Sequence, residues 1–250
     1  MVLFPISEGA AHDSEPIPIW KAIEAAQKQT AREFWIVTQP SHAALAGDLA
    51  AVLRDDLFGP IEATVSRSIA LHDAGWSLDD AEQIQSLRAN AKTRPKSFLE
   101  PPVEQVVRAW TGSIETAAKF APVGGYLVSR HFERLSQRDD KSRDDQFERF
   151  RTREKQRQRK LMASLRQDAQ SLERLVDALQ FCDVLSLYFC CGSGGSVKLQ
   201  KPNMVISRVG GGYKLEPNPF KSSVQLSFSA LRHPPSDQKS KSGATFYVNL

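Results

Sequence analysis

A mainly α-helical bundle closed by a small C-terminal antiparallel β element is the fold this 250-residue sequence predicts. Three observations predict it. Up to about residue 190, apolar residues recur chiefly at helical spacing. From Gly192 onward the chain changes to short β-branched and aromatic runs separated by glycines and turn residues. The composition, 41% hydrophobic and 25% charged, is that of an ordinary globular protein large enough to bury a full core. The expected organisation is a helical domain over residues 1–191 with a β-rich extension, 192–250, packed on the same domain.

Taken in order, residues 19–31 carry a helical pattern, and 34–37 form a short apolar run bounded by polar residues, consistent with a strand. Residues 40–53 form a helix with His42, Leu45, Leu49 and Val52/Leu53 on one face. Phe58, Ile61, Val65 and Ile69 continue the pattern into His72 and Asp73. Residues 77–102 turn polar and collect Pro95, Pro101 and Pro102, which predicts an extended loop. Helical patterns resume at 103–120, 123–135 and 145–188, the last with a break near Gln170 and Ser171. Residues 192–196 lack the spacing of a phosphate-binding loop and predict a linker, and Gly210 to Gly212 predict a hairpin turn. Strand-like runs surround that turn at 204–207, 224–228 and 245–248.

Several polar residues interrupt these apolar stripes. His42 points into the core of its helix, and the stripe that ends at Ile69 runs on into an imidazole and a carboxylate, His72 and Asp73. Leu172, Leu175, Val176 and Leu179 are followed one turn later by Asp183, then Leu187 and Cys190. His131, flanked by Leu127 and Leu135, is inward or at the rim. A lone histidine on an apolar face is more often a core residue bonded to a carbonyl than a ligand. Two histidines and two aspartates that break stripes on three helices are a different matter. An isolated buried carboxylate costs several kcal/mol, and imidazole plus carboxylate suits a divalent cation. His42, His72, Asp73 and Asp183 are therefore the candidate metal ligands. Oxygen and imidazole donors fit Mn, Fe, Co, Ni, Zn or Mg, and a second metal is open.

The order of these residues, a histidine, then a His-Asp doublet, then a distant helical aspartate, resembles the HD superfamily of metal-dependent phosphohydrolases. Thr38-Gln39-Pro40-Ser41-His42-Ala43, His72-Asp73-Ala74-Gly75-Trp76 and Pro95-Lys96-Ser97-Phe98 are similar to an HD-like bacterial family, a domain of unknown function. The likeness covers most of residues 34–191. It implies an HD-domain-like helical bundle around a metal, and hydrolysis of phosphate esters, nucleotides among them. Members of the superfamily also use two irons for oxygenation, and others have lost activity.

A bound cation would acidify water and polarise a phosphoryl oxygen. The expected function is thus metal-dependent hydrolysis of a small phosphorylated compound or nucleotide. In that scheme Asp73 and His131 are the catalytic candidates. Asp73 orients the attacking water; His131 hydrogen-bonds the phosphate, protonates the leaving group or holds a second metal. Gln39, Arg94, Lys96 and Arg130 are the candidate substrate contacts, with ordinary surface charge an equal alternative for Arg94 and Lys96. Trp76 lines the pocket or anchors the core, and Asp79 and Asp80 support the site or serve a turn. The alternatives to hydrolysis are an HD-type di-iron oxygenase and a non-catalytic, metal-stabilised binding module.

The remaining features point to a cytoplasmic protein with no membrane partner. No stretch reaches the roughly 18 consecutive apolar residues of a membrane helix, and the first residues lack a secretory pattern. Cys182, Cys190 and Cys191 read as reduced, buried thiols; Cys182 points about 100° away from Asp183. Between Arg130 and Arg174 fourteen basic residues face nine acidic ones, while the whole chain is only +4. The densest part, Arg151 to Lys160, could hold nucleic acid, but it has no aromatic residues for stacking and suits a solvated helix better.

Overall fold

Helical spacing and strand-like runs both materialise, but in different proportions from those expected. The computed structural model describes residues 1–6, 15–138, 144–235 and 243–250. In chain order the elements are β1 (Val2–Pro5), β2 (Ile17–Pro18), α1 (Ile19–Lys28), β3 (Phe34–Val37) and α2 (Gln39–Ala51). Next come α3 (Asp55–Phe58), α4 (Ala63–Ile69), a 3-10 turn (Ala74–Trp76), α5 (Ser77–Ala89), α6 (Val103–Phe120) and α7 (Pro122–Leu135). The chain continues through α8 (Asp145–Met162) and α9 (Ala169–Cys190). It ends in β4 (Val197–Gln200), β5 (Asn203–Val209), β6 (Gly212–Glu216), β7 (Gln225–His233) and β8 (Gly243–Asn249).

The fold class is mixed α/β, which corrects the expectation of a mainly α bundle with a small β appendage. One four-stranded sheet runs β1-β3-β7-β8, and the other β2-β4-β5-β6. Each contains strands from both ends of the chain. In the first, Val2 faces Val37 and Phe34 faces His233, all antiparallel; in the second, β2 lies parallel to β4. The C-terminal strands therefore complete sheets begun before the first long helix.

Two further expectations are corrected. Residues 77–89 are helical, not loop, because Asp79 and Asp80 occupy the first turn, where carboxylates suit the helix dipole. Only Asp80 and Leu87 of that helix are buried, so it lacks an apolar stripe. The pattern from Phe58 to Asp73 is not one helix either. Gly59, at φ 85°, closes α3, and α4 stops at Ile69, leaving His72 and Asp73 in the turn that follows. The long C-terminal helical pattern does divide, with Asp168 capping α9 by accepting from Ser171 N at 2.8 Å. Gly210, at φ 58°, sits in the expected β5–β6 hairpin.

The main core joins α2, α4, α7 and α9 through Leu45, Leu49, Ile69, Leu127, Val176 and Leu179. Each fully buried aliphatic side chain of this kind contributes about 1.5–3 kcal/mol. One glycine fixes how close two of these helices come. A Cβ on Gly47 of α2 would lie 2.6 Å from the Ala70 Cβ and 2.8 Å from the Ser66 carbonyl, so only glycine lets α4 approach. That approach brings the end of α4 up to His42.

Candidate metal centre

Four segments supply the candidate site. Thr38 caps α2 by accepting from Ser41 N at 3.2 Å, and Pro40 sits in the first turn, so the helix starts just before His42. Asp80 of α5 accepts from Gln39 N at 2.6 Å and holds the same helix start from the other side. The turn carrying His72 and Asp73 docks on α6 through Gly75, whose N–H donates to Ser113 Oγ at 2.9 Å. A Cβ there would meet the Ala109 carbonyl oxygen at 2.0 Å. His131 lies midway along α7, and Asp183 along α9.

The link between α7 and α9 is ionic. Arg130 donates to Glu173 and Glu133, and Arg134 donates to Glu173, Asp177 and the Gln180 side-chain oxygen. Arg130 directly precedes His131 on α7 and Arg134 follows it by three residues, so these pairs tie α7 to α9 on either side of the imidazole, which lies 3.6 Å from Asp183 Oδ2.

His42, His72, Asp73 and Asp183 converge, as the interrupted stripes lead one to expect, and His131 stands beside them. His42 Nε2 is 3.3 Å from Asp183 Oδ1 and 3.5 Å from Asp73 Oδ2. His72 Nε2 is 3.3 Å from Asp183 Oδ1 and 3.9 Å from Asp73 Oδ2, and His131 Nε2 is 3.6 Å from Asp183 Oδ2. A cation about 2.1 Å from each donor places neighbouring donors roughly 3.0–3.4 Å apart. Two overlapping triads, His42/His72/Asp73 and His72/His131/Asp183, could each hold an ion. All three imidazoles are buried.

The tautomer of His72 carries the test of fit. A carbonyl oxygen only accepts, so the 2.8 Å contact with Ile69 O makes His72 Nδ1 the donor. In the neutral ring the other nitrogen, Nε2, is then a bare lone pair. It is fully buried, makes no aligned hydrogen bond and faces two carboxylate oxygens. Lone pairs do not face carboxylates without a proton or a cation between them. A single lone pair also serves only one ion, so the two triads cannot both be filled through His72. The residues fit a divalent cation.

Electrostatics agree. Burial works against a charged His72, but Asp73 and Asp183 beside it win and raise its pKa to about 9 in the metal-free protein. Burial likewise opposes ionisation of Asp183, yet the His42 and His72 imidazoles hold its carboxyl well below the usual range. Burial pushes Asp73 upward against those same imidazoles. His131 is lowered to about 3 by burial, with Asp183 only partly compensating, so it is neutral at physiological pH.

The cage opens onto a cavity of about 540 Å³, within the usual range for a small-molecule site. Gln39 and Trp76 line it. Arg94, Lys96 and Arg130, the expected substrate contacts, are not among its lining residues. Arg94 pairs with Glu100 and Arg130 with Glu133 and Glu173; Lys96 donates its backbone N–H to Gln83. The cation that does line the cavity is Arg138. Asp80 supports α2, whereas Asp79 turns away to Arg108 and Gln105.

Sequence reasoning missed Gln180, a lining residue one turn before Asp183 on the same face of α9. The signal was present: Val176, Gln180, Asp183 and Leu187 are one stripe interrupted twice. Elsewhere, the three cysteines are buried free thiols, as expected, and burial raises the pKa of each. In the basic stretch of α8, Glu154 is buried and ion-paired with Arg153 and Arg157. Among the described residues no helix is long and apolar enough to cross a membrane.

Residues 27–232 match the protein family described as "Protein of unknown function (DUF3891)", and the chain belongs to that family. No curated protein and no solved structure matches it. The expected likeness to a domain family of unknown function is thereby given its family, while nothing in these comparisons ties the chain to the HD superfamily.

Proposed function

We propose that this member of the family is a metal-dependent phosphohydrolase whose divalent cation is held by His42, His72, Asp73 and Asp183. The observation that carries the reading is the His72 imidazole, locked by Ile69 O so that Nε2 faces Asp73 and Asp183 beside an open cavity. A divalent cation supplies an acidified water near neutral pH and polarises a phosphoryl oxygen. The chain's own residues do the rest. Asp73, at the cavity wall, orients the attacking water through a carboxylate oxygen. His131 stays neutral and therefore positions by hydrogen bonding; it does not serve as a proton source at pH 7. Arg138 supplies positive charge at the cavity for the anionic substrate.

The test pairs elemental analysis of the purified protein with a screen of phosphorylated metabolites, on the wild type and Asp183→Asn. One divalent ion per chain, lost in the variant together with phosphate release, is the expected result. Wild-type protein that takes up no divalent ion under any supplementation overturns the proposal. One observation favours the oxygenase alternative: Asp183 turns its second oxygen to His131, away from the His42/His72 side. Two irons per chain with a coupled-iron spectrum would support that reading.

A further inference from the structure

We infer that the substrate is a phosphomonoester with an aromatic or otherwise apolar body, and that Gln180 is the side chain that fixes its phosphoryl group. The inference deepens the phosphohydrolase reading and rests on it. Away from the cage the cavity wall is apolar, with Trp20, Trp76, Phe98, Trp110, Phe132 and Phe147 as its largest side chains. Trp110 stacks face to face on Phe132, ring centroids 4.7 Å apart at 12°. Such a wall favours a ring over a hydroxylated sugar, whose hydroxyl groups would lose water without finding partners.

Charge points the same way. A polyphosphate needs several cations, and among the described lining residues Arg138 is the one cation. Arg130 and Arg134, the guanidinium groups of α7, are already matched by Glu133, Glu173 and Asp177. Among the described residues the cavity thus offers side-chain charge for one phosphate, which suits a monophosphate better than a chain of phosphates.

Gln180 has a defined orientation and an unmet need. Arg134 only donates, so its 2.8 Å contact fixes the Gln180 Oε1 as acceptor and leaves Nε2 as donor. Among the described residues that buried Nε2 has no partner. A buried donor without an acceptor costs about 1–3 kcal/mol, so its retention on a cavity wall suits an acceptor delivered by a ligand. Gln180 precedes Asp183 by three residues, which places both on one face of α9. Gln39 precedes His42 by three on α2, is 4% exposed, and also carries an unpartnered amide oxygen. Both residues line the cavity, each one helical turn before a residue of the cage. Gln180, whose donor is fixed, takes a phosphoryl oxygen. Gln39, whose orientation no partner fixes, takes either a donor or an acceptor.

Non-hydrolysable probes test this on the full-length, manganese-treated protein by calorimetry. Phenylphosphonate should bind at least tenfold more tightly than methylphosphonate, and a hydroxylated alkylphosphonate, 2,3-dihydroxypropylphosphonate, should resemble methylphosphonate. In Gln180→Glu the side chain still accepts from Arg134, but the donor is replaced by a negative oxygen. Phenylphosphonate affinity should fall tenfold or more, while 1-naphthol, a neutral ring, binds as before and metal content is unchanged. Gln180→Met, which removes the amide without adding charge, should weaken phenylphosphonate in the same direction. Equal affinity for phenyl- and methylphosphonate overturns the substrate class, and unchanged phenylphosphonate binding in both variants overturns the role of Gln180. Tight phenylphosphonate binding by a protein that hydrolyses no phosphomonoester leaves the binding site standing and removes the phosphohydrolase reading instead.

Discussion

Metal uptake at His72 should be an exchange of a cation for a proton, and its size follows from the structure. In the metal-free protein the His72 pKa is raised to about 9, and Nδ1 is committed to Ile69 O, so the titrating proton sits on Nε2, the same atom that would bind the metal. At pH 7 that proton must leave first. Two pH units below the pKa correspond to about a hundredfold loss of apparent affinity, on the order of 3 kcal/mol. His131 adds nothing to the exchange, since its pKa of about 3 leaves it neutral. Apparent affinity should therefore rise about tenfold per unit between pH 7 and 8 and level off above pH 9. Calorimetric titration of manganese or zinc at pH 7, in buffers of different ionisation enthalpy, should report close to one proton released per ion. Release of no protons, or an affinity that is flat from pH 7 to 9, would refute the assignment of His72 Nε2 as a ligand.

The same proton affects folding with the opposite sign. A raised folded-state pKa stabilises fully below the ordinary value of 6.5, and that contribution is lost as pH rises through about 9. The metal-free protein should accordingly lose His72's share of stability over this window, just where metal affinity grows. The difference in Tm between metal-loaded and metal-free protein should widen from pH 6.5 to pH 9, as thermal melts can check.

One substitution probes a support of the cage and another the seating of α8. Gly75→Ala drives a Cβ to 2.0 Å from the Ala109 carbonyl oxygen and should cost about 1–3 kcal/mol in urea unfolding, with weaker metal binding because Asp73 lies two residues away. Gly195→Ala, where a Cβ meets nothing within 4 Å, is the control and should leave both unchanged. Glu154→Gln removes the buried charge that pairs with Arg153 and Arg157 and should cost about 1–3 kcal/mol in the same assay. Unchanged stability there would mean that the basic face of α8 is not tied to the core.

The His/Asp cluster that could hold a metal was legible in the sequence because burying charge is expensive wherever it happens. His42 and Asp183 are visible as errors in apolar stripes, and a stripe is a local pattern that one helix carries whole. Gln180 is the same kind of error, overlooked because an amide breaks a stripe less loudly than a carboxylate. The sheets were not legible for the opposite reason. Phe34–Val37 reads as a strand, but nothing local says that it joins Val2–Pro5 on one side and Gln225–His233, some 190 residues away, on the other. Nor does a sequence reveal that Asp79 and Asp80 open a helix with almost no buried face, or that an arginine such as Arg130 is already matched by acids 43 and 3 residues distant. The cations expected to meet substrate were chosen by nearness along the chain, and the folded protein had neutralised Arg94 and Arg130 in ion pairs before any ligand arrives. A cation is available for substrate only when its neighbours in space leave it unmatched, and among the described residues that condition shifts attention from Arg130, matched by Glu133 and Glu173, to Arg138 on the cavity wall and to Gln180, whose Nε2 has no partner there.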